Sequence, residues 1–236
     1  MMMEKVELKK YISVVIPAFN EENYIGGLLE DLTKQHHSKG VHIIVADGGS
    51  TDRTVEICNS YQDRLNIEVI EGGSVTRGRN AGLEEVRTDC VLFIDADVRL
   101  TSPLQLYSVW YDLGTYRLVR AKLRSDSGLM SSFAYWLFNK VNIIISKRRP
   151  FAVGSFFGTR TLAIRKRGGW DESLIHGEDW VLSGKYAPED CKVSTHFITV
   201  DDRRFKKTGY FGMFKLMIMS AWKGEEYMRQ DHGYWK

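Results

Sequence analysis

Asp95 and Asp97 stand one residue apart at the end of the apolar run "VLFIDADVRL", residues 91–100. Two carboxylates at the dry end of a strand repel each other and lose hydration unless a cation or a proton intervenes. The Asp–x–Asp spacing brings both near one point, which suits a hard divalent ion that keeps positions open for phosphate oxygens. Mg2+ or Mn2+ carrying a diphosphate is the expectation, and a pair of loop-capping aspartates is the alternative. A second acidic pair, Glu178 and Asp179 in "HGEDW", follows the turn-rich "GGWDESL" and precedes "VLSGKYA". Both are expected at a helix N-terminus, where the dipole favours their ionised forms. A carboxylate there could take a proton from an acceptor hydroxyl. Its alternative is a purely helix-stabilising role.

Positive charge for a departing diphosphate is available in "DDRRFKKTG", residues 201–209, which follows the predicted strand "KVSTHFITV". Arg203 and Arg204 are the candidates, because guanidinium forks suit phosphate oxygens. An exposed basic loop is the competing reading, and Arg77 in "TRGRN" is a further candidate for the same task. His176 and His196 lack metal-ligand spacing and are read as structural.

The elements that must carry these residues alternate. "YISVVIPAF" (11–19) reads as a strand, and "NEENYIGGLLEDLTKQ" (20–35) as a helix with Ile25, Leu28, Leu29 and Leu32 on one face. "VHIIVADGGSTD" (41–52) repeats the pattern, with Ser50, Thr51 and Asp52 as N-cap candidates for a helix "RTVEICNSYQ". "NIEVIEGG" with "TRGRNAGLEEV" makes a third pair, and "CVLFIDAD" a fourth strand. Continuous apolar strands separated by helices predict an α/β fold, Rossmann-like and three-layered, with a mainly parallel central sheet. Ligands of such sheets bind beyond the strands' carboxyl ends. Asn20, Glu21 and Glu22 follow the first strand, Asp47 ends the second, and Asp95 and Asp97 end the fourth, so one nucleotide-sized site accounts for all of them.

The blocks "VVIPAFNEE", "IIVADGGSTDRT", "GRNAG", "FIDAD" and "GEDW" stand in the order seen in glycosyltransferase family 2, and the chain resembles that family over roughly residues 11–186. The resemblance implies a GT-A fold and inverting transfer of a sugar from a nucleotide diphosphate donor, with a divalent metal bound through the Asp–x–Asp. By that likeness Ala18, Phe19 and Glu21 border the nucleoside, and Asp47 meets the base. Asp95 lies near ribose and metal, Ala96 sits beside it along the donor, and Asp97 ligates the metal. Asp179 is the base and Glu178 a binding or orienting residue. The chain departs from the commonest pattern at Gly48, where many members carry a second aspartate.

The 236 residues, 43% hydrophobic and 27% charged, exclude disorder and repeat classes. They are read as one domain over 1–236: a donor half at about 11–100, an acceptor half at 101–200, and a basic loop with amphipathic helices at 201–236. A net charge of +3 gives no argument for nucleic acid. Cys58, Cys90 and Cys191, without CxxC spacing, suit a reducing, cytoplasmic setting. Neither a signal peptide nor a spanning helix is expected. "MSSFAYWLFNKVNIIIS" (130–146), followed by Lys147, Arg148 and Arg149, and "YFGMFKLMIMSAW" (210–222) could lie on a membrane surface, or else cover the sheet or form an oligomer contact. The acceptor is a glycan, a lipid phosphate or a protein, and a lipid-linked one follows if those segments meet a membrane. Two other classes fit the motifs less well. A sugar-nucleotide-forming nucleotidyltransferase would need a basic Gly-rich loop where "PAFNEE" is acidic, and a noncatalytic binding module would not need Asp95, Asp97 and Asp179. A dinucleotide oxidoreductase lacks its GxGxxG.

Overall fold

A computed structural model of the chain describes residues 6–201, 203, 209, 212, 219, 220 and 222–230. Strand β1 (Ile12–Ala18) is buried along its whole length. Its neighbours are β2 (His42–Asp47), β3 (Asn66–Glu71) and β4 (Cys90–Ile94), and the parallel ladders β3–β2–β1–β4 form half of one eight-stranded sheet. The other half is β7 (Phe156–Arg160), β6 (Leu118–Arg124), β8 (Cys191–Val200) and β5 (Val98–Leu100), in that spatial order. Strand β7 runs antiparallel to β4 and to β6, β8 runs parallel to β6, and β5 opposes β8. Strands β1, β2, β3, β4, β6 and β8 therefore point one way, as the mainly parallel expectation required.

Successive residues point to opposite faces of the sheet, and both faces are covered. Val14, Ile16, Leu92 and Ile94 pack with α1 (Ile25–Thr33), α2 (Thr54–Asn59) and α4 (Gln105–Leu113). Val15, Val91 and Phe93 pack on the opposite side with α3 (Val75–Glu85), α6 (Thr161–Lys166) and α7 (Glu178–Ser183). Helices α5 (Leu129–Ile145) and α8 (Glu225–Met228) complete the described elements.

The run 91–100 is not one strand. Asp95–Asp97 is a turn between β4 and β5, which lie four places apart in the sheet. Four Cα steps span at most about 15 Å, whereas four flat inter-strand spacings need about 19 Å. The sheet must curl to close that gap. Arg99 on β5 clamps the closure, donating from Nε and a terminal nitrogen to Asp31 of α1 at 2.7 and 2.8 Å, while Leu100 N–H donates to the same carboxylate at 3.0 Å.

The first helix begins at Ile25 rather than at residue 20. Asn20 adopts φ +54, and the acidic turn bonds to the loop after β2 instead of opening a helix. Thr51 N–H donates to Asn20 Oδ1 at 2.9 Å, Glu21 N–H to Thr54 Oγ1 at 2.8 Å, and Glu22 N–H to Asp52 Oδ2 at 3.1 Å. Asp52 also accepts from Thr54 N–H at 3.0 Å, but the N-cap of α2 is Arg53, without a side-chain cap bond, rather than Ser50, Thr51 or Asp52.

Helix α3 crosses β1 so closely that a methyl group at Gly82 would collide with Val15. Gly82→Ala, which in an exposed helix would gain about 1 kcal/mol, should therefore cost about 1–3 kcal/mol from overpacking. Urea denaturation of the two proteins checks this.

Candidate active site

The common strand direction sets the carboxyl ends of β1, β2, β4 and β8 along one edge, together with the start of β7, because Ile94 pairs with Phe156. Ala18 is buried at the tip of β1, with Phe19 exposed beyond it. Asp47 ends β2; its Oδ2 accepts from Gly49 and Ser50 N–H at 3.0 Å each. Its Oδ1 is buried without a hydrogen-bond partner among the described residues, an acceptor built but unused. Gly48 follows, and a Cβ there would stand 2.7 Å from the Gly73 carbonyl oxygen. The departure from the commoner aspartate thus has a steric cause in the turn after β3.

Asp95, Ala96 and Asp97 occupy the turn after β4, with Ala96 buried in the core. Arg79 on α3 is the residue that organises them. Its side chain is 2% exposed, and one guanidinium nitrogen donates to Asp95 Oδ1 at 2.7 Å while another donates to Glu178 Oε1 at 2.8 Å. The guanidinium also lies 4.5 Å over the ring of Trp170, which is packed edge-on against Phe93 and Phe157. Burial alone would lower the Arg79 pKa, but the two carboxylates overcome it and the net shift is upward. Sequence reading passed over Arg79 in favour of Arg77, which is exposed and has no bond to these carboxylates among the described residues. A signal existed, since Arg79 shares a helical face with Leu83 and Val86 and so points inward.

Arg203 arrives from the far half of the sheet. Val200 at the end of β8 pairs with Val98, so the chain leaving β8 passes Asp97. Arg203 donates to both Glu21 oxygens at 2.9 and 2.6 Å and to Asp97 Oδ2 at 3.0 Å. Arg204 and most of 210–222 lie outside the described residues.

Glu178 and Asp179 do begin α7, as expected. The expected preference for the charged form fails at Asp179, whose carboxyl is pushed up to about 7. Burial is the main cause and the neighbouring Glu178 charge the second, while bonds from Gly154 N–H at 2.9 Å and Trp180 N–H at 2.7 Å oppose them. A six-residue helix offers too little dipole to reverse the loss of hydration. Asp179 as a residue is only partly buried, so the enclosure concerns its carboxyl. His176 is a core residue, its Nε2 3.1 Å from Ser220 Oγ. Beside α7 a cavity of about 360 Å³ is lined by Arg149, Trp180, Val181, Ser220, Glu225 and Met228 among others.

A divalent ion fits this chemistry. Asp97 offers a hard oxygen donor, Asp95 stands two residues away, and the cation now on Asp97 is a partly exposed arginine that can move aside. Among the described residues no group of three or more His, Cys, Asp or Glu could hold a metal alone. That suits an ion whose shell is completed by phosphate oxygens and water.

Strand-end carboxylates around a curled, mainly parallel sheet define a ligand site of the α/β type, beyond the carboxyl ends of the strands. The chain belongs to glycosyl transferase family 2, whose model matches residues 13–165. It is 40% identical over 205 residues, 83% of this chain and 60% of that protein, to a dolichyl N-acetyl-alpha-D-glucosaminyl phosphate 3-beta-D-2,3-diacetamido-2,3-dideoxy-beta-D-glucuronosyltransferase of Methanococcus voltae. It is 37% identical over 90 residues to the poly(ribitol-phosphate) beta-N-acetylglucosaminyltransferase TarS of Staphylococcus aureus, 36% of this chain and 16% of that protein. The chain thus spans less than two thirds of either relative. The crystal structure of S. aureus TarS superposes with a TM-score of 0.62 at 20% identity, covering 88% of this chain and 65% of that one. A Pyrobaculum calidifontis mannosyltransferase, solved with GDP-Man and Mn2+, gives 0.67 at 16% identity over 88% and 64%. These neighbours share the GT-A fold.

Two stability measurements test the cluster. Arg79→Met strands two half-buried carboxylates beside a buried site and should cost about 3 kcal/mol in chemical denaturation, with partial recovery when Asp95→Asn and Glu178→Gln are added. Asp179 has a folded pKa above the usual aspartate value, so the stability that its proton contributes is full below about pH 4 and is lost as pH rises through about 7. Asp179→Asn should consequently gain on the wild type between pH 5 and pH 8 in melting temperature.

Proposed function

We propose that this chain transfers one hexose-type sugar from a nucleoside diphosphate donor (UDP-, GDP- or dTDP-linked) to an acceptor hydroxyl or phosphate oxygen, with inversion at the anomeric carbon. The observation that carries this reading is the Arg79 fork. It ties Asp95, at the donor-side strand end, to Glu178, the immediate neighbour of a carboxyl that titrates near neutrality. A base with that pKa is matched to proton removal at physiological pH.

Residues 11–100 form the donor half and 101–200 the acceptor half of one domain in this reading, with a basic loop and amphipathic segment at 201–236. Ala18, Phe19 and Glu21 border the nucleoside. The unused Oδ1 of Asp47 accepts an N–H of the base, a role supported by its buried, unpartnered state. Asp95 and Ala96 line the ribose and diphosphate, and Arg203 exchanges its bonds to Glu21 and Asp97 for the diphosphate, assisted by Arg204 and, from the start of α3, by Arg77. Asp97, with Asp95 beside it, would hold Mg2+ or Mn2+. When bound, the ion withdraws charge from the leaving diphosphate.

Where the acceptor is a hydroxyl, Asp179 takes its proton as that oxygen bonds to the anomeric carbon, whereas an ionised phosphate oxygen attacks without losing a proton. The bond from that carbon to the diphosphate oxygen breaks, and the nucleoside diphosphate leaves with the electron pair. Glu178, held by Arg79, keeps the base raised and oriented.

The acceptor we favour is a lipid-linked saccharide or lipid phosphate. The M. voltae relative is named for a dolichyl phosphate-linked acceptor, and the likeness covers 83% of this chain. Such an acceptor places the enzyme peripherally on the cytoplasmic face of a membrane. Among the described residues no helix is long and apolar enough to cross one.

The rate with a saturating donor should rise with pH and level off above a midpoint near 7, because only the ionised Asp179 accepts a proton. Asp179→Asn should lower kcat by about 100-fold or more while leaving donor binding intact, as read by the donor's thermal shift. A variant that kept full turnover would remove Asp179 from the mechanism.

A further inference from the structure

Helix α5 is folded with its polarity reversed. Ser131, Asn139 and Asn142 are buried, whereas Leu129 is 92% exposed, Phe133 59%, Trp136 54% and Ile144 66%. Hydrogen bonds hold this orientation. Asn139 acts as an extra sheet neighbour for β6, donating to Leu123 O at 2.7 Å and accepting from Leu123 N–H at 3.0 Å. Ser146, just beyond the helix, donates to Asn142 Oδ1 at 2.9 Å and accepts from Phe151 N–H at 3.3 Å and from buried Arg120 at 3.4 Å. Turning the helix to bury its apolar stripe would break all of these. Exposed Leu129, Phe133, Leu137, Val141 and Ile144 recur at three- and four-residue intervals, so they form one continuous face along the helix.

We propose that this face lies on an anionic lipid surface. It has the chemistry of an interfacial helix: apolar side chains on the outside, aromatic Phe133 and Trp136 stacked 5.8 Å apart among them, and cations at the border. Lys140 reaches over the Trp136 ring at 5.9 Å, and Lys147, Arg148 and Arg149 are exposed at the helix end. No Asp or Glu occurs between Asp126 and Asp171. A second copy of the chain is a poorer occupant. A twofold contact sets the same surface against itself, where residues 127–170 of the other copy offer the bordering cations no acid and Asp126 is already 3.8 Å from Arg124. Anionic headgroups satisfy every one of these cations at once.

The inference rests on the lipid-linked acceptor for its purpose. The segment that leaves α5 carries Arg149, whose guanidinium lies 4.7 Å over Trp180, and then Gly154, which bonds the proposed base. A surface bound by α5 would thus lie beside the acceptor half.

The test is co-sedimentation of the full chain with sucrose-loaded vesicles, phosphatidylcholine alone or with phosphatidylglycerol. Anionic vesicles should bind it at least roughly tenfold more tightly, with loss at high salt. The combined variant Phe133→Ser, Trp136→Ser and Ile144→Ser, all at exposed positions, should keep its circular dichroism and melting temperature and lose vesicle binding; Lys147→Glu with Arg148→Glu should lose the anionic preference. Binding that is absent, or that the serine variant retains, overturns the proposal. So does a dimer, seen by light scattering, that the serine variant dissolves. Binding does not depend on turnover, so Asp179→Asn should sediment like the wild type. Vesicle binding without transfer to a lipid-linked acceptor would overturn the acceptor reading alone, and transfer without vesicle binding would overturn this inference alone.

Discussion

A buried guanidinium between two carboxylates is the constraint around which this molecule is arranged. Arg79 reaches the site from a helix on one face of the sheet and meets Asp95 from a strand tip and Glu178 from a later helix. A cation taken this far out of water is tolerable only with both partners in place and an aromatic surface beneath it. The pairing fixes the Glu178 carboxylate in place next to Asp179. With Arg79 bonded to Asp95 and Glu178, the hydrogen bonds to the Asp179 carboxyl among the described residues come from backbone N–H groups, and burial pushes it up to about 7. The same ion pairs that hold the halves together therefore tune the proposed base.

The second half of the site depends on curvature. The turn Asp95–Asp97 is too short to reach a strand four places away across a flat sheet, so β5 and β8 fold back toward β4. This brings the exit of β8 against Asp97 and delivers Arg203 to two carboxylates, Glu21 and Asp97, that would otherwise repel each other. Arg203 is thus a stand-in cation at the position where a divalent ion and a diphosphate would need one. Its partial exposure, in contrast with the enclosure of Arg79, separates a cation that can exchange partners from one that cannot.

Helix α5 shows the same preference for hydrogen bonds over apolar burial at a different place. Asn139 completes the backbone bonding of Leu123, where a leucine or valine would have left a buried N–H and carbonyl without partners. The cost is an apolar stripe turned outward. Periodicity in 130–146 was readable as amphipathic, but not which side faces the protein, because that depends on what β6 leaves unsatisfied.

Apolar periodicity over ten residues and the carboxylates at strand ends were enough to place β1, β2, β3 and β4 and the sheet edge that carries Asp47, Asp95 and Asp97, because strand direction and alternation are local properties of the chain. The start of α1 was misplaced because Asn20 to Glu22 bond to a loop about thirty residues away. Arg79 was missed because its partner Glu178 lies 99 residues on, and the link from Arg203 to Glu21 spans 182. Charge sign and spacing along the chain say which groups can pair; which of them do pair, and which carboxyl is left to hold its proton, is decided by burial and by distances that exist only once the sheet has curled.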